Sequence, residues 1–259
     1  MPVMCGSGLV DGEHDATRNG LISSIGYTIA GSGLGATMAS VLVFDVNETL
    51  LDLRALDQHF ERIFGDSSIR KQWFGLVLRN AFSLTITGAY QDFVAVGAAS
   101  LLMVAEQHQV SVSDDDRAAI GLAMISLPAH RDVVPNLERL TDAQFRMAAL
   151  TNSPQEAAES QLASAGIAGH FERIMSVAPT AKFKPAPEVY RMAAAELGVE
   201  PGAMTMVAAH DWDVAGAMAV GCRGAYIMRP GMVRNPLYPD PDIEGPGFER
   251  VTDLLIAAA

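Results

Sequence analysis

Five short apolar runs, alternating with helical sequence, constrain this chain more than any other feature. They are VLVFD (41–45), FRMAAL (145–150), RIMSV (173–177), MTMVAA (204–209) and GAYIM (224–228). Each is strand length, and helical stretches follow. QEAAESQLASAG comes after Thr151–Pro154, PAPEVYRMAAAELG (185–198) stops at Gly198, and WDVAGAMAVG follows the fourth run. Strands alternating with helices at this spacing predict an α/β fold built on a doubly wound parallel sheet. The stretch from Leu53 to about Pro135 breaks the pattern. LDQHFERIF, IRKQWFGLVLRNAFSL, QDFVAVGAASLLMVAEQH and DDDRAAIGLAMISL are all helix-like. An inserted helical cap domain over 54–135 is expected, with 38–53 and 136–259 as the core; an extra helical layer on that core is the alternative.

Residues 1–37 are Gly-rich and without sustained period, and read as a flexible extension, with Met38 as an alternative start. GSGLGA (31–36) imitates a nucleotide-binding glycine loop but precedes a strand instead of following one. LISSIGYTIAG follows Asp11, Glu13 and Asp15 where a secretion signal needs basic residues. A net charge of −12 argues against nucleic acid as a partner, and there is no apolar run of about 18 residues to span a membrane. Cys5 and Cys222 form neither a disulfide framework nor a metal-ligand spacing, which fits a cytoplasmic protein.

In open α/β sheets, ligands bind outside the carboxyl ends of the strands. The first run ends at Asp45, with Thr49 four residues on. The second ends at Thr151 and Asn152, and the fourth leads into His210, Asp211 and Asp213. Lys182, Lys184 and Pro185 follow the third. Singly, each has a bland reading as turn residue, solvated charge or helix cap. Their convergence on one rim is harder to dismiss.

This ordered set resembles the haloacid dehalogenase superfamily over about 41–255. LTNSP, KPAPEVY and AAHDWDVAGA are similar to its (S)-2-haloacid dehalogenase (type II) branch. The resemblance implies a Rossmann-like core and hydrolysis of a carbon–halogen bond. The superfamily's phosphatases need a second acid two residues after the first, where this chain has Asn47, and a Mg²⁺-binding acid where it has Ala209. An amide cannot act as general acid or base. Halide departs without a proton, so one acid suffices; no cofactor and no metal are expected.

By resemblance, Asp45 is the nucleophile that displaces halide from C2 of a small 2-haloacid and forms an ester. Lys184 neutralises it, and Thr49 and Thr151 orient its oxygens. Asn152 and the backbone at Val46 and Asn47 meet the substrate carboxylate, and Tyr190 shapes the site. Asp213 positions the hydrolytic water. His210, where the family has Asn, is either a base or a hydrogen-bonding replacement. Three departures fall on the substrate side: Ala208 replaces a serine, Asn47 an aromatic residue, and Phe74 after Trp73 a substrate-gripping arginine. Arg70, Lys71 and Arg79 are the candidate substitutes. Phe74 and Trp73 suggest bulkier or aromatic 2-halo acids. A homodimer is left open. Two competing readings stand: a metal-dependent phosphatase using Asp211 or Asp213 as ligand, and a binding protein that lost turnover.

Overall fold

The computed structural model describes residues 41–259. The expectations for 1–37, including the glycine loop, lie outside the described residues. Six parallel strands form one sheet in the order β3-β2-β1-β4-β5-β6. They are β1 (Val41–Phe44), β2 (Arg146–Thr151), β3 (Arg173–Ser176), β4 (Met204–Ala208), β5 (Arg223–Met228) and β6 (Ile243–Pro246). β1 is central, paired with β2 from Val41↔Arg146 and with β4 as far as Phe44↔Val207, and buried throughout. That explains its unbroken apolar sequence, since a strand covered on both faces has no polar side to show. The order reverses at β1, between β2 and β4. That switch point is where an open α/β sheet presents a crevice at its carboxyl edge.

β6 is absent from the sequence-based reading. Its sequence, IEGP, has no apolar run, and only Ile243 and Gly245 face inward. It lies at the sheet edge, where Pro246 forfeits no ladder hydrogen bond needed by a further strand.

Between β1 and β2 every regular element is helical. A 3₁₀ turn (Leu53–Leu56) leads to α1 (Asp57–Phe64), α2 (Ile69–Thr87), α3 (Phe93–Gln107), α4 (Asp114–Ile125) and α5 (Val133–Asp142). Glycines in the left-handed conformation end α1 at Gly65 and α2 at Gly88, while Asp92 and Ser113 cap α3 and α4 through their side chains. α2 and α3 pack as a pair, and α5 packs against the carboxy-terminal helix α9 (Gly247–Ala257). α6 (Gln155–Ser164), α7 (Pro187–Leu197) and α8 (Asp211–Met218) complete the core. Pro187 opens α7, and Gly198, with φ of 67°, closes it. Gly216 of α8 lies so close to Pro185 and the Tyr190 hydroxyl that a β-carbon would overlap both. The missing side chain lets α8 seat against the lysine-bearing loop. No described helix is long and apolar enough to cross a membrane.

Candidate active site

Asp45 follows β1 directly, its N–H bonded to the Val207 carbonyl at 3.1 Å. The chain then folds back sharply. The Val46 carbonyl accepts from the Leu50 and Leu51 amides (2.9 and 3.0 Å), while Glu48 N–H donates to Leu51 O at 2.9 Å. Glu48 sits at the turn with φ of 62°, in the left-handed region that a non-glycine residue occupies only at a cost. The turn returns Thr49 to Asp45: its hydroxyl donates to Asp45 Oδ2 at 2.6 Å and accepts from Ala209 N–H at 2.9 Å. From outside, Arg229 donates to the Thr49 carbonyl through Nε (3.2 Å) and Nη2 (2.8 Å), and Asp132 anchors its Nη1.

Lys184 is buried, and its ammonium group has three acceptors for three protons: Asp45 Oδ1 (2.6 Å), Asp213 Oδ2 (2.7 Å) and Leu150 O (2.9 Å). Burial alone would lower its pKa, but Asp213 and Asp45 outweigh burial and raise it. Lys184 is therefore a fixed cation. Asp213, fully buried, also accepts from the Tyr190 hydroxyl on Oδ1 at 2.6 Å. Burial and the nearby Asp45 charge push its carboxyl up against the opposing pull of Lys184. Burial next to Asp213 likewise holds the Tyr190 phenol well above its usual value, so it remains a donor.

His210 caps α8 and bridges two carboxylates. Nδ1 is 3.0 Å from Asp45 Oδ2 and Nε2 is 3.1 Å from Glu48 Oε2. Burial favours a neutral ring, yet the hydrogen bonds and charges of Asp45 and Glu48 prevail and push its pKa up to about 10. Asp45 responds in kind. Burial would raise its carboxyl, but Lys184 and His210 hold it far below the usual carboxylate range.

A chamber of about 10 Å³, water-sized, opens in front of Asp45. Asn47, Thr151, Asn152 and His210 supply its polar lining, and Phe74, Leu78, Phe93 and Trp212 its apolar lining. Asn152 Oδ1 accepts from the Lys184 N–H at 3.0 Å, which leaves the amide nitrogen as the end available to a ligand. Asn47 is held between Ser153 and Gln161, each at 3.3 Å. Phe74, His210 and Trp212 lie ring against ring, 6.3 and 5.0 Å between centroids. These three rings and Leu78 also line a larger cleft of about 360 Å³ on their other side.

The pattern of haloacid dehalogenase-like hydrolases matches residues 39–221, more than half of the chain. The chain belongs to that family. An (S)-2-haloacid dehalogenase of Pseudomonas sp. (strain CBS-3) is 24% identical over 216 residues, 83% of this chain and 94% of the relative. Two structures of an L-2-haloacid dehalogenase from Xanthobacter autotrophicus superpose with TM-scores of 0.80 and 0.79, at 24% and 23% identity, the second with chloropropionic acid covalently bound. Each covers 86% of this chain and 100% of the other. At that identity the superpositions establish the Rossmann-like fold of the family.

In this haloacid dehalogenase-like hydrolase, several side chains stand differently from the sequence-based expectation. Thr151 Oγ1 accepts from the Ser153 N–H at 3.2 Å and makes no hydrogen bond to Asp45; it faces the chamber beside the carboxylate. Asp213 stands behind Lys184, not in the chamber wall, with an oxygen committed to Lys184 and the other to Tyr190. It is buried and holds the lysine. Trp73 packs on Phe74 with ring centroids 6.0 Å apart and donates to the Gly97 carbonyl at 2.9 Å, but it does not line the chamber; Trp212 does. At about 10 Å³ the chamber as it stands has no room for a bulky or aromatic acid. Of the candidate arginine substitutes, Arg70 is paired with Asp57 (2.5 Å) and Glu48 (3.6 Å), Arg79 lines a separate groove, and Lys71 borders the larger cleft. Sequence reasoning missed Glu48 and Arg229. The one available signal for Glu48 was a charged residue inside an otherwise buried turn.

The raised pKa of His210 has a measurable consequence. A group protonated more tightly when folded adds stability below its unfolded pKa of 6.5, and that stability is lost as pH rises toward about 10. Thermal stability should therefore fall from pH 6.5 upward, and His210→Asn should flatten the fall between pH 6.5 and 8.5. Parallel curves for the two proteins would refute the charged state of His210.

Proposed function

We propose that this protein hydrolyses small (S)-2-haloacids to 2-hydroxy acids through an ester on Asp45. One observation carries the reading: the chamber presents a single carboxylate, desolvated and ionised, with no second acid beside it. Asn47 occupies the general-acid position, and its amide can neither give up nor take a proton in turnover. A reaction that starts here needs a leaving group that departs unprotonated. Halide does.

The two oxygens of Asp45 are not equivalent. Oδ2 receives two donors, Thr49 and His210, whereas Oδ1 receives only Lys184. Oδ1 keeps a free lone pair and is the attacking atom in this reading. The Oδ1–C2 bond forms as the C2–halogen bond breaks, and the halide leaves with the bonding electrons. The amide nitrogen of Asn152 and the backbone at Val46 and Asn47 receive the substrate carboxylate, whose desolvation demands donors. Phe74, Leu78 and Trp212 close over the carbon chain, with α1–α4 acting as a cap. Tyr190 and Asp213 fix Lys184, which in turn fixes Asp45. The net charge of −12 supports the absence of a nucleic-acid partner, and a cytoplasmic location belongs to the same reading.

A phosphatase of the same family would hold Mg²⁺ here, and the residues present do not suit it. The position of the metal-binding acid is the methyl group of Ala209. Asp213 is committed to Lys184 and Tyr190, and Asp211 accepts from the Trp212 and Asn235 amides. Among the described residues, no group of three His, Cys, Asp or Glu side chains is placed to hold a metal ion. Halide release from 2-chloropropionate should persist after exhaustive chelation, and should exceed release from 2-chlorophenylacetate. Strict Mg²⁺ dependence with hydrolysis of phosphate esters would replace this reading by the phosphatase one.

A further inference from the structure

An ester on Asp45 must be hydrolysed, and hydrolysis needs a base for the attacking water. The residue expected to manage that water, Asp213, is walled off behind Lys184. Asn47, Asn152 and Thr151 reach the chamber but are not bases at neutral pH, and Lys184 is a fixed cation. One titratable side chain other than the nucleophile lines the chamber, and it is His210.

His210 is held at both ring nitrogens. Nδ1 faces Asp45 and Nε2 faces Glu48, at 3.0 and 3.1 Å. Glu48 is itself fixed. Its backbone is bent into the left-handed region, its carbonyl lies 3.2 Å from His130 Nε2, and Arg70 lies 3.6 Å from its other carboxylate oxygen. A strained backbone at a buried turn is tolerated when the surroundings over-determine it, and such strain gathers at functional sites. Nucleophile, imidazole and second carboxylate thus form a chain of three, the middle ring being oriented by a group that takes no part in bond making.

We propose that His210 is the general base of the hydrolytic half-reaction and that Glu48 is its positioning residue. This rests on the dehalogenase reading above. In the free enzyme the ring is an imidazolium bound to ionised Asp45. Ester formation removes the negative charge of Asp45, so burial, which favours the neutral ring, gains the upper hand. The ring gives up one proton to solvent, and the proton that remains sits on Nε2 against Glu48, which leaves Nδ1 bare toward Asp45. Asp45 and Glu48 are the charged groups against the ring and set the balance with burial; Arg70, Lys71, Asp211 and Arg229 line the larger cleft beside it, with Asp52, Arg54 and His130.

The step then balances. A water oxygen bonds to Cγ of Asp45 while one of its protons passes to Nδ1. The carbonyl oxygen Oδ2 becomes the oxyanion, held by the Thr49 hydroxyl. As that centre collapses, the Cγ–Oδ1 bond breaks and the departing 2-hydroxy acid takes the second water proton. Asp45 is again ionised and His210 again charged. Each cycle yields one alcohol, one halide and the proton released when the next ester forms.

The test uses the full chain and 2-chloropropionate, with halide release and intact-protein mass followed after rapid quenching. His210→Asn, which keeps a donor toward Asp45 but offers no base, should release about one halide per protein in a burst. It should then stall with the adduct on Asp45, its steady-state kcat lower by about 10²–10⁴-fold, the usual range for general-base catalysis. Glu48→Gln should lose part of that factor in kcat and move the acid limb of the kcat–pH profile to lower pH, since the ring loses an anionic partner. Glu48→Asp should restore both in part, a rescue that a merely structural role would not produce. Steady turnover by His210→Asn without adduct would overturn the assignment of the base alone. An unmoved pH limb in Glu48→Gln would overturn the role of Glu48. If the wild-type protein releases no halide and carries no adduct, the dehalogenase reading falls with it.

Discussion

Asp45→Asn is expected to abolish halide release, by on the order of 10⁴-fold or more, the scale seen when a covalent nucleophile is removed. The amide fits the same space and still accepts from Thr49, so the fold should persist. Two cations face Asp45, and each has an alternative. Lys184 keeps Asp213 and the Leu150 carbonyl, and His210 keeps Glu48. A second signature lies in acid. A carboxyl held below its unfolded pKa of 3.8 contributes stability above that value, and the contribution is lost as pH falls through the lower folded value. The Asn variant should lack this share of acid sensitivity. With enzyme in excess in ¹⁸O water, the first 2-hydroxy acid formed should carry ordinary oxygen, because its hydroxyl oxygen comes from Asp45. Later turnovers should yield labelled product. Label in the product of the first turnover would mean that water attacks C2 directly.

Much of the fold was legible because each buried strand had to be apolar and had to end at the crevice. Asp45, Thr151, Asn152 and His210 could be ordered along one rim from strand ends alone, and the structure brings all four to the chamber. Depth was not legible. Asp213 lies one turn further into α8 than the rim suggests, with Lys184 interposed, so a residue expected to hold water holds a lysine instead. Nor was backbone hand. Glu48 reads as one more loop acid until its φ of 62° turns it toward His210, 162 residues later. Arg229 grips the carbonyl of Thr49 from the end of β5, and no local pattern announces so distant a contact. β6 escaped notice because an edge strand with Gly and Pro carries no hydrophobic period.

Replacing Lys184 by Met should be the most destabilising single change in the site. The ammonium separates two buried carboxylates, at 2.6 Å from Asp45 and 2.7 Å from Asp213. Without it their charges face one another with little solvent, and such a pair cannot both stay ionised at neutral pH. Removing one partner of a buried ion pair costs about 3–5 kcal/mol, which denaturant unfolding at neutral pH would register directly. The pH dependence gives the cause away. In the variant the carboxyl pair is protonated more tightly folded than unfolded, so stability is retained in acid and lost as pH rises past the ordinary carboxylate range. Asp45 in the wild-type protein contributes in the opposite sense. Adding Asp213→Asn to Lys184→Met removes one of the two charges and should recover much of the lost stability. Halide release should be abolished in the single and the double variant alike, because Asp45 lacks the ammonium group that aims Oδ1. If Lys184→Met unfolds at the wild-type denaturant concentration at neutral pH, the three-residue charge cluster is not what holds this site together, and the positioning role assigned to Asp213 goes with it.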